Sequence, residues 1–250
     1  MSEAPFDPVR LVQDAMRPVG LKRFYREASV GEAEGGFALL LDGRRARTPA
    51  KKPLVAPSRA LAEALAAEWA GQGEMIVAAS MPLTRLINSA LGGVAAAMAE
   101  TRAETAGFAE SDLLCYRATA PDALIAAEAA GFDPILAWVR EALGAEFLVA
   151  QGVIHRRQPE PALNAVRAAL EAVEQPIALA ALSVMTSLSG SLLLALAVAR
   201  GRLGADEAWR IAHIGEDFQI AQWGEDEEAT ARRAARWRDF EAAAQAMAAL

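Results

Sequence analysis

The chain has 250 residues, 54 % of them apolar but only 6 % aromatic, with a formal charge of −7 and a pI near 5.1. That length allows one large domain or two small ones, with a core built mainly from Ala, Leu, Val and Ile. The acidic balance argues against a nucleic-acid binder, which would present a basic face. A single cysteine, Cys115, excludes a disulfide framework within the chain and fits a reducing compartment.

The N-terminus, MSEAPFDPVR, has neither the apolar run of a signal peptide nor the Arg/Ser-rich pattern of a transit peptide. Strand signals follow in KRFYREASV (Lys22 to Val30) and GFALLLDGRRARTPA (Gly36 to Ala50). In the second, Asp42-Gly43 suits positive φ and predicts a tight hairpin. GEAEGG (Gly31 to Gly36) reads as a turn, since its acids would repel a phosphate. Ser58 is the expected N-cap of a first helix carrying Leu61, Leu65 and Trp69 on one stripe, with Gly71 ending it. EMIVAAS (Glu74 to Ser80) reads as a short strand or extended link.

From Pro82 onward the pattern is helical. Leu83, Leu86, Ile87, Ala90, Val94 and Met98 keep the 3–4 spacing, with Gly92-Gly93 as a kink or close-packing point. Asp133-Pro134 reads as an N-cap and first-turn pair opening a helix that buries Ile135, Leu136 and Trp138. Pro159 and Pro161 precede a helix over about Ala162 to Val173. Ile177 to Ala199 is long enough to span a bilayer, but its TSLSGS centre is small and polar and no aromatic belt flanks it. It is expected to be a buried helix of a bundle, not a membrane insertion. The fold class is therefore α+β: a small N-terminal unit with a β-hairpin (1–80), then a mainly helical bundle (81–250).

Candidate chemistry is sparse. No phosphate loop or Rossmann glycine pattern is present, and His155 and His213 lie far apart, neither with a nearby cysteine. No metal or cofactor is expected. Cys115 could act as a nucleophile with either histidine as base, but beside Leu114 and Tyr116 it reads as a small buried hydrophobe. Arg117 is expected to order a carboxylate.

The stretch EDFQIAQWGEDEE (Glu216 to Glu228) packs six carboxylates and two aromatics together. Placing Asp206 to Trp223 on one helix puts Ile211, Ile214, Phe218 and Ala221 on a core-facing side. Trp209, Ala212, Ile220 and Trp223 form a second stripe with Glu216 in its middle. Asp217 falls on the polar side, beside Arg210 and within reach of His213. Glu225 to Glu228 open the last helix, from about Asp226, where they suit the helix dipole, and Glu228 can pair with Arg232. A carboxylate between two tryptophans needs a cation or a partner. Two accounts stay open for Glu216: an internal pair with Arg85 or Arg117, or the centre of an exposed docking face.

Five stretches occur in the order and spacing of one family: EWAGQGEMI (Glu68 to Ile76), MPLTRLINSAL (Met81 to Leu91), ESDLLCYR (Glu110 to Arg117), FDPILAW (Phe132 to Trp138) and EDFQIAQWG (Glu216 to Gly224). From Lys22 to the C-terminus the chain resembles the assembly chaperones that attend the alpha subunit of ATP synthase. The resemblance implies a non-enzymatic chaperone that binds free alpha and prevents its aggregation until beta replaces it. It also implies an α+β domain followed by an orthogonal helical bundle. The family's functionally important acid falls at Glu216 or Asp217, and the wheel favours Glu216. With Trp209, Ile220 and Trp223, these make the expected partner-binding set. Trp69, Asp112, Arg117, Asp133 and Trp138, all within the shared motifs, are expected to be structural. Phe218 stands where some relatives carry a tyrosine. The absence of the targeting extension of mitochondrial relatives implies a bacterial cytoplasmic protein, expected to be a monomer when free. The rival readings are a soluble enzyme using Cys115 or the acids, and a single-span membrane protein.

Overall fold

The computed structural model describes residues 21–152 and 154–250. The MSEAPFDPVR stretch lies outside the described residues. A short β1 (Leu21–Lys22) pairs antiparallel with the later β6 (Met75–Ile76). The main sheet is built on β3 (Gly36–Leu41), which pairs antiparallel with β2 (Ala28–Ala33), β4 (Arg44–Arg45) and β5 (Val55–Ala56). The Asp42-Gly43 hairpin forms as expected, both residues taking positive φ (48° and 75°), as a type I′ turn requires. The Gly31-to-Gly36 stretch is not all turn. β2 runs on through Ala33 and the chain reverses only at Glu34-Gly35. At Gly36, φ is +146° and a Cβ would sit 2.2 Å from the Ala56 carbonyl oxygen, so a side chain there would break the sheet.

Helix α1 (Arg59–Ala70) packs on β2 and β3 with Leu61 and Leu65 fully buried, and the Ser58 hydroxyl accepts from the Leu61 N–H as expected. Its last turn joins it to α2 (Pro82–Gly92). The Glu68 carboxylate accepts from the N–H groups of Leu83 (2.7 Å) and Thr84 (2.8 Å) and from the Thr84 hydroxyl (2.8 Å), supplying the cap that Met81 cannot. Gln72 accepts from the Val77 N–H, fixing the link between. Trp69 is half-buried rather than enclosed. Its ring packs against Tyr25, its Nε1–H donates to the Thr84 hydroxyl at 3.0 Å, and its carbonyl accepts from the Tyr25 hydroxyl. Trp69→Phe, which keeps an aromatic ring but loses the pyrrole half of the indole with its donor, should cost at least about 0.5–1.5 kcal/mol in denaturant unfolding. An unchanged midpoint would show the bond to be energetically idle.

Gly92-Gly93 ends α2 rather than kinking it. Val94 falls in a 3₁₀ turn and Met98 opens α3 (Met98–Gly107). A larger correction concerns Asp133 and Pro134, which open no helix. They lie in the middle of α4 (Asp122–Leu143), a helix of 22 residues. An internal proline removes one N–H and frees the carbonyl four residues back. Here that carbonyl belongs to Ala130, and Ala130, Asp133 and Pro134 are all exposed, so water can satisfy it. Phe132, Ile135 and Val139 carry the buried face, whereas Leu136 and Trp138 are only half-buried against the core. The Asp133 carboxylate, free of capping, accepts from the Arg117 guanidinium at 2.7 Å, and Arg117 also lies over the Phe132 ring.

Helix α5 (Glu160–Glu171) begins two residues before the expected start, with Pro161 in its first turn. The apolar run of Ile177 to Ala199 is mostly buried but is two helices, α6 (Pro176–Ser189) and α7 (Leu192–Ala199). The chain breaks at Gly190, which takes φ +72°, within the polar centre singled out in the sequence. No described helix is long and apolar enough to cross a membrane. Helix α6 packs on α2, α3 and α7 and against α10 (Glu227–Ala248), while α7 is buried all round from Leu192 to Ala197. Ser191 caps α7 by accepting from the Leu194 N–H and donates its own hydroxyl to Asp112 at 2.7 Å. Fully buried, Asp112 also accepts from the N–H groups of Leu193 (3.1 Å) and Leu114 (3.0 Å). One carboxylate thus caps two elements. The result is the expected α+β fold: a small sheet with its helix, followed by a mainly helical body.

Candidate functional site

The Asp206-to-Trp223 stretch is two helices, α8 (Ala205–Ala212) and α9 (Ile214–Trp223), broken at His213. Glu216 and Asp217 lie in the first turn of α9, where carboxylates favour a helix start, and Gly215 beside them weakens continuation. That acidic pair after a glycine was the readable signal for the break. The single-helix wheel consequently fails at both ends.

Trp209 leaves the docking set. It is 8 % exposed, its ring 5.4 Å from Phe240, 5.6 Å from Trp237 and 3.9 Å from the His213 imidazole. It belongs to the core between α8 and α10. On the expected core side, Ile211 is buried, Ile214 and Phe218 are half-buried, and Ala221 is exposed. Ile214 reaches α4 at Gly131, where a Cβ would lie 2.5 Å from its Cδ1. That close approach is what seats α9. Helix α9 has no fully buried residue. It lies along the surface, with Ile220 half-buried and Trp223 79 % exposed at its C-terminal end.

Both internal partners considered for Glu216 are engaged elsewhere: Arg85 with Asp239, and Arg117 with Asp133. The cation beside the acidic pair is Arg233 from α10, a residue the sequence reading did not single out. Its Nη1 lies 2.5 Å from the Asp217 Oδ1, and its Nε lies 4.0 Å from the Glu216 Oε2. Asp217 therefore pairs across helices rather than with His213, whose carbonyl accepts only its backbone N–H. Arg233, Trp237 and Phe240 fall on one stripe of α10, so a cation on an otherwise apolar stripe was the readable clue.

His213 Nδ1 meets the Trp209 carbonyl at 2.7 Å and must be its donor. Burial lowers the His213 pKa further than that hydrogen bond raises it, and Arg233 lowers it as well. The imidazole is thus neutral at pH 7, and its unprotonated Nε2 faces the Glu216 Oε2 at 3.9 Å without a bond. The Glu216 side chain, 39 % exposed, is held by neither neighbour at hydrogen-bond distance. Farther on, Asp226 caps α10 by accepting from the Ala229 N–H, and Glu228 pairs with Arg232 as expected.

The rival catalytic centre loses its nucleophile. Cys115 is fully buried, and burial, reinforced by Asp112, pushes its thiol up to about 12. Native protein should resist thiol alkylation at pH 7.5 until denaturant is added. Rapid labelling of the folded chain would contradict this placement. Among the described residues no group of three or more His, Cys, Asp or Glu is arranged to hold a metal ion.

Residues 22–140 match the family model of the ATP12 chaperone protein. Among solved structures, the chain is similar to Atu1473 of Agrobacterium tumefaciens, a candidate chaperone. The two are 48 % identical, with a TM-score of 0.88 over 97 % of this chain and 91 % of that one. It is likewise similar to Atp12 of Paracoccus denitrificans, at 40 % identity and a TM-score of 0.84, covering 91 % of this chain and 97 % of that one. An aspartate-to-lysine mutant of the Paracoccus protein gives the same values. These likenesses put the chain among assembly chaperones. It belongs to the ATP12 chaperone family, the ATP synthase assembly family that its five motifs resembled.

Proposed function

We propose that this chaperone serves ATP synthase assembly by holding the free alpha subunit, docking it on the outer face of α9 through Glu216, Asp217, Ile220 and Trp223. The observation that carries the reading is Trp223: a large aromatic 79 % exposed, on the same helix as the half-exposed carboxylates Glu216 and Asp217, a helix with no fully buried residue. Exposed tryptophans beside charge are the usual anchors of binding hot spots. Among the described residues no donor lies within hydrogen-bond distance of the Glu216 carboxylate, which suits a partner presenting arginine or lysine.

The protein acts by binding rather than catalysis in this reading, which the inert setting of Cys115 supports. It works in the bacterial cytoplasm, as a monomer until it meets alpha. Co-expression with the cognate alpha subunit tests the proposal: alpha should become soluble and co-purify. Alpha that stays insoluble, or soluble alpha that does not co-purify, would contradict it.

A further inference from the structure

We propose that Arg233 is a placeholder cation: in the free chaperone its guanidinium sits at the Glu216 and Asp217 carboxylates and yields them to a cationic side chain of the docked partner. This rests on the docking reading above and extends it to how the site is kept before a partner arrives.

The geometry of the triad carries the argument. Two carboxylates on α9 share one guanidinium from α10. Arg233 binds Asp217 at 2.5 Å but stands 4.0 Å from Glu216, so the arrangement is satisfied at one end only. A second cation would complete it. The three side chains are accessible to exchange, with 39 % of Glu216, 43 % of Asp217 and 23 % of Arg233 exposed. Pairs this open to water are weak, so giving one up for another costs little. The two acids lie in the first turn of α9, where the helix dipole favours them. Beside them the imidazole of His213 is neutral, so it does not compete for Glu216. Arg233 lies on the same stripe of α10 as Trp237 and Phe240, so its side chain leaves the helix on the face turned to α8 and α9.

The experiment compares Glu216→Ala, Arg233→Met and Arg233→Lys in the full chain, measuring affinity for purified alpha subunit and thermal stability of each. Arg233→Met keeps the stem and removes the charge. It should bind alpha about fivefold more tightly, the size expected when an exposed ion pair no longer has to be broken. Arg233→Lys, still charged but unable to form a fork, should fall between it and wild type. An independent readout comes from the imidazole: NMR titration of the free protein should show the His213 pKa rising in Arg233→Met, because a nearby positive charge has been removed. If Glu216→Ala weakens binding while Arg233→Met, folded, binds no better or worse than wild type, the placeholder role is overturned and the docking face stands. If Glu216→Ala binds as wild type, the docking reading itself falls and this inference falls with it. Should Arg233→Met fail to fold, Arg233 is a strut and the proposal is wrong.

Discussion

Asp112→Ala should destabilise the protein by about 3–5 kcal/mol, because it leaves two fully buried backbone N–H groups and a buried hydroxyl without their acceptor. Each orphaned buried donor costs about 1–3 kcal/mol, and Leu193 and Leu114 supply two. Both helical starts involved are structural: the N-terminus of α7 and the 3₁₀ turn that leads into Cys115. Asp112→Asn should recover only part of the loss, since an amide presents an N–H to one of the same donors.

The dependence on pH carries a definite sign. Burial raises the Asp112 pKa to about 6, although its hydrogen bonds to Ser191, Leu193 and Leu114 work the other way. A carboxyl with a raised folded pKa contributes most below its unfolded value of 3.8. That contribution is lost as pH rises through about 6. The penalty for Asp112→Ala should therefore be larger at pH 5 than at pH 7.5. Denaturant unfolding at the two pH values measures it. An equal penalty at both would mean that Asp112 does not titrate in this window.

The second large effect is on binding. Trp223→Ala removes an exposed ring that the fold does not use and should weaken alpha binding by about 2 kcal/mol or more, as truncation of a hot-spot aromatic does. Glu216→Ala should cost about 2–5 kcal/mol of binding if its carboxylate meets a cation in the complex. Neither change touches a buried contact of the free protein, so each should alter stability by less than about 0.5 kcal/mol. Trp209→Ala gives the contrast. It empties the cluster shared with Trp237, Phe240 and His213 and should destabilise by about 3–5 kcal/mol. The two tryptophans nearest Glu216 in sequence thus have opposite fates, which a wheel on one continuous helix could not separate.

Local signals were the legible part of this fold. The Asp42-Gly43 hairpin, the Ser58 cap, the burial of Leu61 and Leu65 and the Glu228–Arg232 pair all follow from short-range chemistry. What the sequence hid was decided by tertiary context. Pro134 runs inside α4 because its freed carbonyl faces water, and nothing local announces that. Glu68 caps a helix fourteen residues ahead, and Asp112 reaches Ser191 seventy-nine residues away, so neither partner could be named from spacing. At the candidate site Glu216 stood out in the sequence as a carboxylate on an apolar stripe, but the break at His213 and the burial of Trp209 dissolve that stripe. The cation beside it was not legible, since Arg233 comes from another helix.

The most direct test of the central claim, that the outer face of α9 holds alpha, is co-purification of alpha with the double variant Glu216→Ala/Trp223→Ala. Its melting temperature is recorded on the same preparation, with Glu141→Ala, exposed on α4, as control. The account predicts that the double variant melts with wild type yet retains less than about a hundredth of the alpha affinity, while the control retains all of it. A double variant that folds normally and still carries alpha at wild-type yield would contradict the account.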